Sequence, residues 1–265
     1  MELGRPDMEP VIEVENLVAG YGATRILDGV SFEVQPREVL VVLGTSGCGK
    51  TTLLRHLIGL LRPTSGSVRL FGRDVAAIPE EELDQLRARF GVAFQSGALF
   101  NSITVAENVA LPMRERGLPA ETVPALVRMK LSLVGLADAG QKMPSQLSGG
   151  MRKRVALARA LALDPEIVFF DEPSAGLDPV TAAGLDRLIL QLRDLLDITV
   201  VVVTHELASI RTIADRALML AQGRVLFDGP LAEVDDARDP RVRRFFRREP
   251  EEPAGIRPQA DSLSL

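Results

Sequence analysis

Cysteine is nearly absent: Cys48 is the only one in 265 residues, so no disulfide framework can form within one chain. A reducing, cytosolic compartment fits. Long apolar runs are also absent. VLVVLG at 39–44, IVFF at 167–170 and ITVVVV at 198–203 fall far short of the roughly 20 residues a membrane span needs. Work at a membrane is therefore expected to go through a partner. The opening MELGRPDMEP carries acids and no apolar stretch, unlike a secretory signal. Positive charge is not in excess either. The net charge of −5 gives no electrostatic footprint for nucleic acid, and no nucleic-acid partner is expected.

What is present suits a globular chain large enough for one core, or for a core with an inserted subdomain. Residues 11–17 (VIEVENL) alternate apolar and polar, as a half-buried strand does, and SFEV at 31–34 and SVRLFG at 67–72 read similarly. They predict a small antiparallel layer near the N-terminus. VLVVL at 39–43, IVFFD at 167–171 and TVVVV at 199–203 are continuous, with helical patterns around them, as buried parallel strands are. Helices are expected over 50–61, over 150–163 with Met151, Val155, Ala158 and Ala162 on one face, and over 179–196, where Pro179 suits a first turn. About 96–148 lacks a strong strand signal after its first residues and reads as an inserted helical block. The segment 250–265 is rich in Pro, Glu and Ser and reads as disordered.

GTSGCGKTT at 44–52 satisfies G-x-x-x-x-G-K-[ST] between a buried strand and a helix. Its glycines let backbone N–H groups converge on phosphate oxygens, and a helix N-terminus adds favourable dipole. Gly44, Thr45, Ser46, Gly47, Cys48, Gly49, Lys50, Thr51 and Thr52 are thus candidate nucleotide-binding residues. Lys50 is expected on the β- and γ-phosphates and Thr51 on Mg²⁺. IVFFDE ends a buried strand in two acids. Asp171 is expected to hold Mg²⁺ directly or through water, and Glu172 to polarise the water attacking the γ-phosphate. His205 follows another buried strand and is expected to contact the γ-phosphate; His56 reads as structural. An aromatic such as Tyr21, the only tyrosine, can stack on a base at a site's edge, but the residues alone do not assign it that role.

With LSGGM at 147–151 between the loop and the acid pair, the set resembles the nucleotide-binding domains of ABC transporters. Tyr21 matches the A-loop, 44–51 Walker A, Gln95 the Q-loop, Asp171 and Glu172 Walker B, Asp178 (in SAGLD) the D-loop and His205 the H-loop. The resemblance covers roughly 11–235. It implies an α/β fold: a RecA-like P-loop core with an N-terminal antiparallel β subdomain and a helical subdomain inserted at about 96–150. It also implies a homodimer in which each ATP lies between one P-loop and the other chain's Ser148, Gly149 and Gly150, and a role for Gln95 with Mg²⁺ and the attacking water. The family has Gln in most members where this chain has Met151, which cannot supply an amide's hydrogen bonds.

The stretch 94–113, FQSGALFNSITVAENVALPM, carries a single charge, Glu107. On the resemblance it lines the groove for a permease's coupling helix, with Leu99 and Phe100 suited to docking and Val105, Val109 and Leu111 to internal packing. FQSGALF, TVAENVALPM and EPSAGLDP further resemble the Mla-type group of ATPases that power bacterial lipid transport. The resemblance implies phospholipid transport between inner and outer membranes, a permease dimer, an MCE-domain lipid-binding protein and, in some systems, a small STAS-domain protein. It places the chain on the cytoplasmic face of the inner membrane. An importer ATPase for a polar solute and a soluble ABC ATPase are the competing readings. In 236–249, six arginines surround Val242, Phe245 and Phe246. A terminal helix docked by its aromatics comes first, then a clasp on the second subunit, then contact with anionic lipid.

Overall fold

The computed structural model describes residues 9–22, 24–95 and 97–249. The segment 250–265, read as disordered, and residues 1–8 of the opening MELGRPDMEP lie outside these residues. An antiparallel sheet is built from β1 (Ile12–Tyr21), β2 (Thr24–Val34), β4 (Ser65–Leu70) and β5 (Arg73–Asp74), in the order β2-β1-β4-β5. The alternation of β1 buries Ile12 and Val14, then resumes at Leu17 after an irregularity at Asn16, whose φ is 46°. The opposing Gly66 is required there: a Cβ would lie 2.3 Å from the Asn16 carbonyl oxygen.

The second sheet runs β10-β9-β3-β8-β7-β6. Its members are β3 (Val39–Gly44), β6 (Phe90–Ala93), β7 (Ile167–Asp171), β8 (Thr199–Val203), β9 (Arg216–Ala221) and β10 (Arg224–Pro230). All neighbours are parallel except β10 with β9. The continuous apolar runs follow from cover on both faces. Val39, Val41 and Leu43 point into one core cluster, Leu40 and Val42 into the other. The second cluster lies under the antiparallel layer and α1 (Lys50–Leu57). That helix ends before the expected residue 61. Gly59, at φ 67°, turns the chain, with Leu60 N–H on the Arg55 carbonyl and Gly59 N–H on that of His56.

The remaining helices are α2 (Glu80–Arg87), α3 (Val105–Glu115), α4 (Val123–Leu133), α5 (Gly149–Ala160), α6 (Pro179–Leu196), α7 (Leu207–Ile213) and α8 (Pro240–Arg247). Between β6 and β7 the chain is helical, and α3 packs on α4 and α5. Here the weakly charged stretch divides. Val105, Val109, Ala110 and Met113 are buried in the core and Phe100 is 52% exposed, whereas Leu111, expected inside, is only half-buried and Leu99, expected at the docking face, packs partly on the core. Its one acid caps α3: Thr104 N–H donates to Glu107 Oε2 at 2.7 Å, and Glu107 N–H to Thr104 Oγ1 at 3.2 Å. Fully buried Lys130 pairs with Asp164, tying α4 to the turn after α5. In α8, Val242 and Phe246 are buried against the core, and Arg211 donates to the Phe246 carbonyl at 3.0 Å.

Candidate nucleotide-binding site

The order β3-β8-β7-β6 sets four carboxyl-terminal strand ends side by side. From β3 the chain enters the 44–49 loop through Gly44, Gly47 and Gly49, at φ 146°, 77° and 107°. Gly44 admits no side chain, since a Cβ would lie 2.2 Å from the Leu220 carbonyl oxygen. Lys50 opens α1 and folds over the loop, donating to the Gly44 carbonyl at 2.8 Å and that of Thr45 at 3.1 Å. Cys48 is turned beneath the loop and buried, 4.0 Å from Lys50 Nζ.

β7 delivers Asp171 and Glu172. Glu172 holds a left-handed φ of 48°, uncommon for a non-glycine residue. Three bonds maintain it. Its N–H donates to the Val203 carbonyl at 2.8 Å, and its carboxylate accepts from Thr204 Oγ1 at 3.1 Å and meets His205 Nδ1 at 2.7 Å. Burial, then the charge of Glu172, pushes the Asp171 carboxyl above its ordinary range, with Arg55, Lys153 and Lys50 opposing the shift.

One cavity of about 670 Å³ is lined by Ile26, residues 44–47 and 49–52, Gln95, Asp171, Glu172, His205 and Phe245. Segments up to 219 residues apart (Ile26 to Phe245) thus meet, with a loop of backbone donors, a lysine and a bonded carboxylate at one surface. A scan against family models matches the one described as ABC transporter over residues 27–175. The chain belongs to the ABC transporter family. It is an ABC ATPase and binds ATP.

Relatives and solved structures agree. A Haemophilus influenzae protein described as intermembrane phospholipid transport system ATP-binding protein MlaF is 41% identical over 244 residues, 92% of each chain. A Mycobacterium leprae protein described as probable ribonucleotide transport ATP-binding protein mkl is 41% identical over 263 residues, 99% of this chain and 76% of that one. CbiO1 of Clostridium perfringens, part of the ABC transporter complex cbiONQ, superposes with a TM-score of 0.80 at 28% identity, covering 91% of this chain and all of that one. The cassette MJ0796, solved as a dimer in a post-hydrolysis state with ADP and Pi, gives 0.74 at 30% identity over 83% of this chain and 98% of that one. ABC cassettes dimerise and partner with membrane permeases. Among the described residues, no helix is long and apolar enough to cross a membrane.

Other candidates lie elsewhere. Tyr21 is 47% exposed and accepts from Arg55 Nη1 at 3.1 Å; it does not line the cavity. Ser148 caps α5, accepting from Met151 N–H at 3.2 Å, and Gly150 abuts Thr181 of α6 closely enough that a Cβ would lie 2.5 Å from its Cγ2. Asp178 caps α6, accepting from Val180 N–H at 3.1 Å and Thr181 N–H at 3.0 Å. Ser148, Gly149, Gly150 and Asp178 are not in the cavity wall. Met151 is partly buried and packs against the core. Sequence reasoning did not single out Ile26, Thr204, Lys153 or the cavity-facing side of Phe245. Only Lys153 carries a signal, as a cation on the helix that LSGGM opens.

Proposed function

We propose that this chain is the ATP-hydrolysing subunit of a phospholipid transporter, working as a homodimer beneath a separate permease dimer. The near-full-length identity with the Haemophilus influenzae phospholipid-transport protein carries the substrate class. The ATPase domain spans 11–235, with a helical subdomain at about 96–150 and a helical extension at 236–249. The Lys50 ammonium exchanges the Gly44 and Thr45 carbonyls for β- and γ-phosphate oxygens, and the 44–52 backbone cradles the rest. Glu172 acts as base for the attacking water, its carboxylate held by Thr204 and oriented by His205. Tyr21 stacks on adenine at the rim. Ser148, Gly149, Gly150 and Asp178 serve the ATP of the second subunit.

Thr51, Gln95 and Asp171 share the cavity and suit Mg²⁺. Burial, then the neighbouring Glu172 charge, raises the Asp171 carboxyl, and a divalent cation would favour its ionised form. Among the described residues no group of three His, Cys, Asp or Glu could hold a metal by itself; Mg²⁺ would take phosphate oxygens and water beside these few protein ligands. When bound, Mg²⁺ neutralises charge on the transferred phosphoryl group.

A second cavity, of about 550 Å³, lies between α3 and α4 and is lined by Thr104, Ala106, Glu107, Ala110 and Arg114 among others. With exposed Phe100 nearby in sequence, it supports permease docking on this face. The chain then sits on the cytoplasmic face of the inner membrane, alongside an MCE-domain protein and, in some systems, a STAS-domain one. A polar solute is the second reading, because the Mycobacterium leprae relative is equally identical and is described as a ribonucleotide transport protein.

The test is affinity purification of tagged Glu172→Gln from native membranes in mild detergent, with mass spectrometry of proteins and lipids. A permease with an MCE protein and enriched phospholipid is expected. A permease with a polar-solute receptor would refute the lipid. Recovery without any permease would remove the transport reading altogether.

A further inference from the structure

Lys153 stands one turn inside α5, the helix that Ser148 caps. Lysines usually carry the ammonium into water. This one is half-buried, and among the described residues it forms no ion pair within 4 Å. Its Nζ instead donates to two backbone carbonyls on separate elements: Gln95, after β6, and Glu172, after β7, the latter at 3.1 Å. Farther along α5, Arg159 donates to the Gly97 carbonyl at 2.9 Å and that of Ala98 at 2.8 Å. Both cations hold backbone after β6, at Gln95 or at Gly97 and Ala98, but only Lys153 also reaches the end of β7.

We propose that Lys153 is a positioning residue that makes α5, the Gln95 loop and Glu172 move as one body. The first turn of α5 faces the ATP held by the second subunit. A shift of that helix would then be passed through one ammonium to the backbone carrying Gln95 and the base. Carbonyl partners suit this task, since they fix backbone position whatever the side chains do. Glu172 needs such a fixture. It sits in a left-handed conformation, and its carbonyl is shared only with the Ala175 N–H at 3.3 Å. A base displaced by a fraction of an ångström loses rate without losing the phosphate cradle.

The proposal rests on the hydrolytic reading of Glu172. Full-length Lys153→Met, Lys153→Gln, Lys153→Arg and Glu172→Gln are assayed for MgATP binding, steady-state hydrolysis and Tm. The Met and Gln variants are expected to lose about 10- to 100-fold in kcat, with KM and Kd for ATP within about twofold of wild type. Arginine, which also donates to carbonyls, is expected to restore most of kcat. Wild-type kcat in Lys153→Met beside an inactive Glu172→Gln would overturn this proposal alone. So would a loss that arginine does not restore and that tracks Tm and Kd, the mark of a merely structural residue. Wild-type turnover by Glu172→Gln would overturn the base assignment, and this proposal with it.

Discussion

Two glycine-rich segments open helices in this chain, and they face different tasks. The loop at 44–49 surrounds a cavity that its own chain completes with Gln95, Asp171, Glu172 and His205. The segment at 147–151 does not line that cavity. Its serine caps its own helix, its second glycine presses on Thr181, and Asp178 beside it caps α6. The first helix entrance is furnished with a lysine and two strand-end acids. The second offers a helix dipole and backbone N–H groups, of which Met151's is taken by the Ser148 cap. ABC cassettes dimerise, and on the proposed function the second entrance finds its ligand on another subunit. The contrast also locates the chemistry. On the proposed function, groups that move protons meet the first segment's cavity, and the second segment only binds.

The largest expected effect lies in the complete half. Lys50→Ala removes the charge that the loop carbonyls now hold, and MgATP affinity should fall by about 100-fold or more, since charge-assisted bonds contribute about 1.5–3 kcal/mol each. Isothermal titration measures it. Unchanged affinity would mean that backbone donors suffice and that the two entrances are more alike than their furnishings suggest. Glu172→Gln comes next. It should keep ATP affinity while hydrolysis slows by about 100-fold or more, the range of general-base removal. The dimer should then persist in MgATP, as read by light scattering. A fast-hydrolysing variant would move the base elsewhere.

The complete half was also the more legible one. A phosphate loop is contiguous, and its demands on glycine and lysine are local, so 44–52 could be read without a fold. The acids at 171–172 were legible because a buried strand ended at them. The other wall of the cavity was not. Phe245 reaches it only because Val242 and Phe246 dock α8 on the core, and no periodicity ranks one of two adjacent phenylalanines as the exposed one. Ile26 lies within an ordinary strand. Lys153 looked like one cation among several on a basic helix; its two carbonyl partners are 58 and 19 residues away. β9 and β10 are short and carry too few residues for period alone to separate strand from helix. Glu107 shows the reverse case. Its reciprocal bonds with Thr104 follow from T-V-A-E just before an apolar run, a capping box written in four consecutive residues.

The neighbouring phenylalanines sharpen what α8 does for the complete half. Phe246 is 3% exposed, so Phe246→Ala should cost about 3–5 kcal/mol of stability. Phe245→Ala removes a half-buried side chain from the cavity wall and should cost clearly less. Its main effect should be a few-fold change in ATP Kd, because about 1.4 kcal/mol is already tenfold. Urea melts and nucleotide titrations on both variants separate anchor from wall. Equal melts with equal Kd values would show that α8 makes no distinction between its two aromatics.

The smallest effects belong to the outward-facing half and come from its departure from the family pattern. Met151 donates its N–H to the Ser148 cap and packs its side chain against the apolar core. A glutamine would keep the N–H and the cap. It would also place an amide against apolar neighbours, at an expected cost of about 1 kcal/mol. Ser148→Ala should cost about as much by removing the cap. Neither change touches the phosphate cavity, so ATP affinity of the isolated chain should stay within about twofold for both. The two should differ in the assembled dimer. Met151→Gln should hydrolyse ATP normally, and Ser148→Ala should not, because its hydroxyl is then needed twice, once by α5 and once by the second subunit's phosphate. Hydrolysis against protein concentration checks this. Equal rates for the two variants at saturating protein would show that Ser148 does nothing beyond capping α5, and would leave the backbone N–H groups of Gly149 and Gly150 as the whole of what this segment offers its partner.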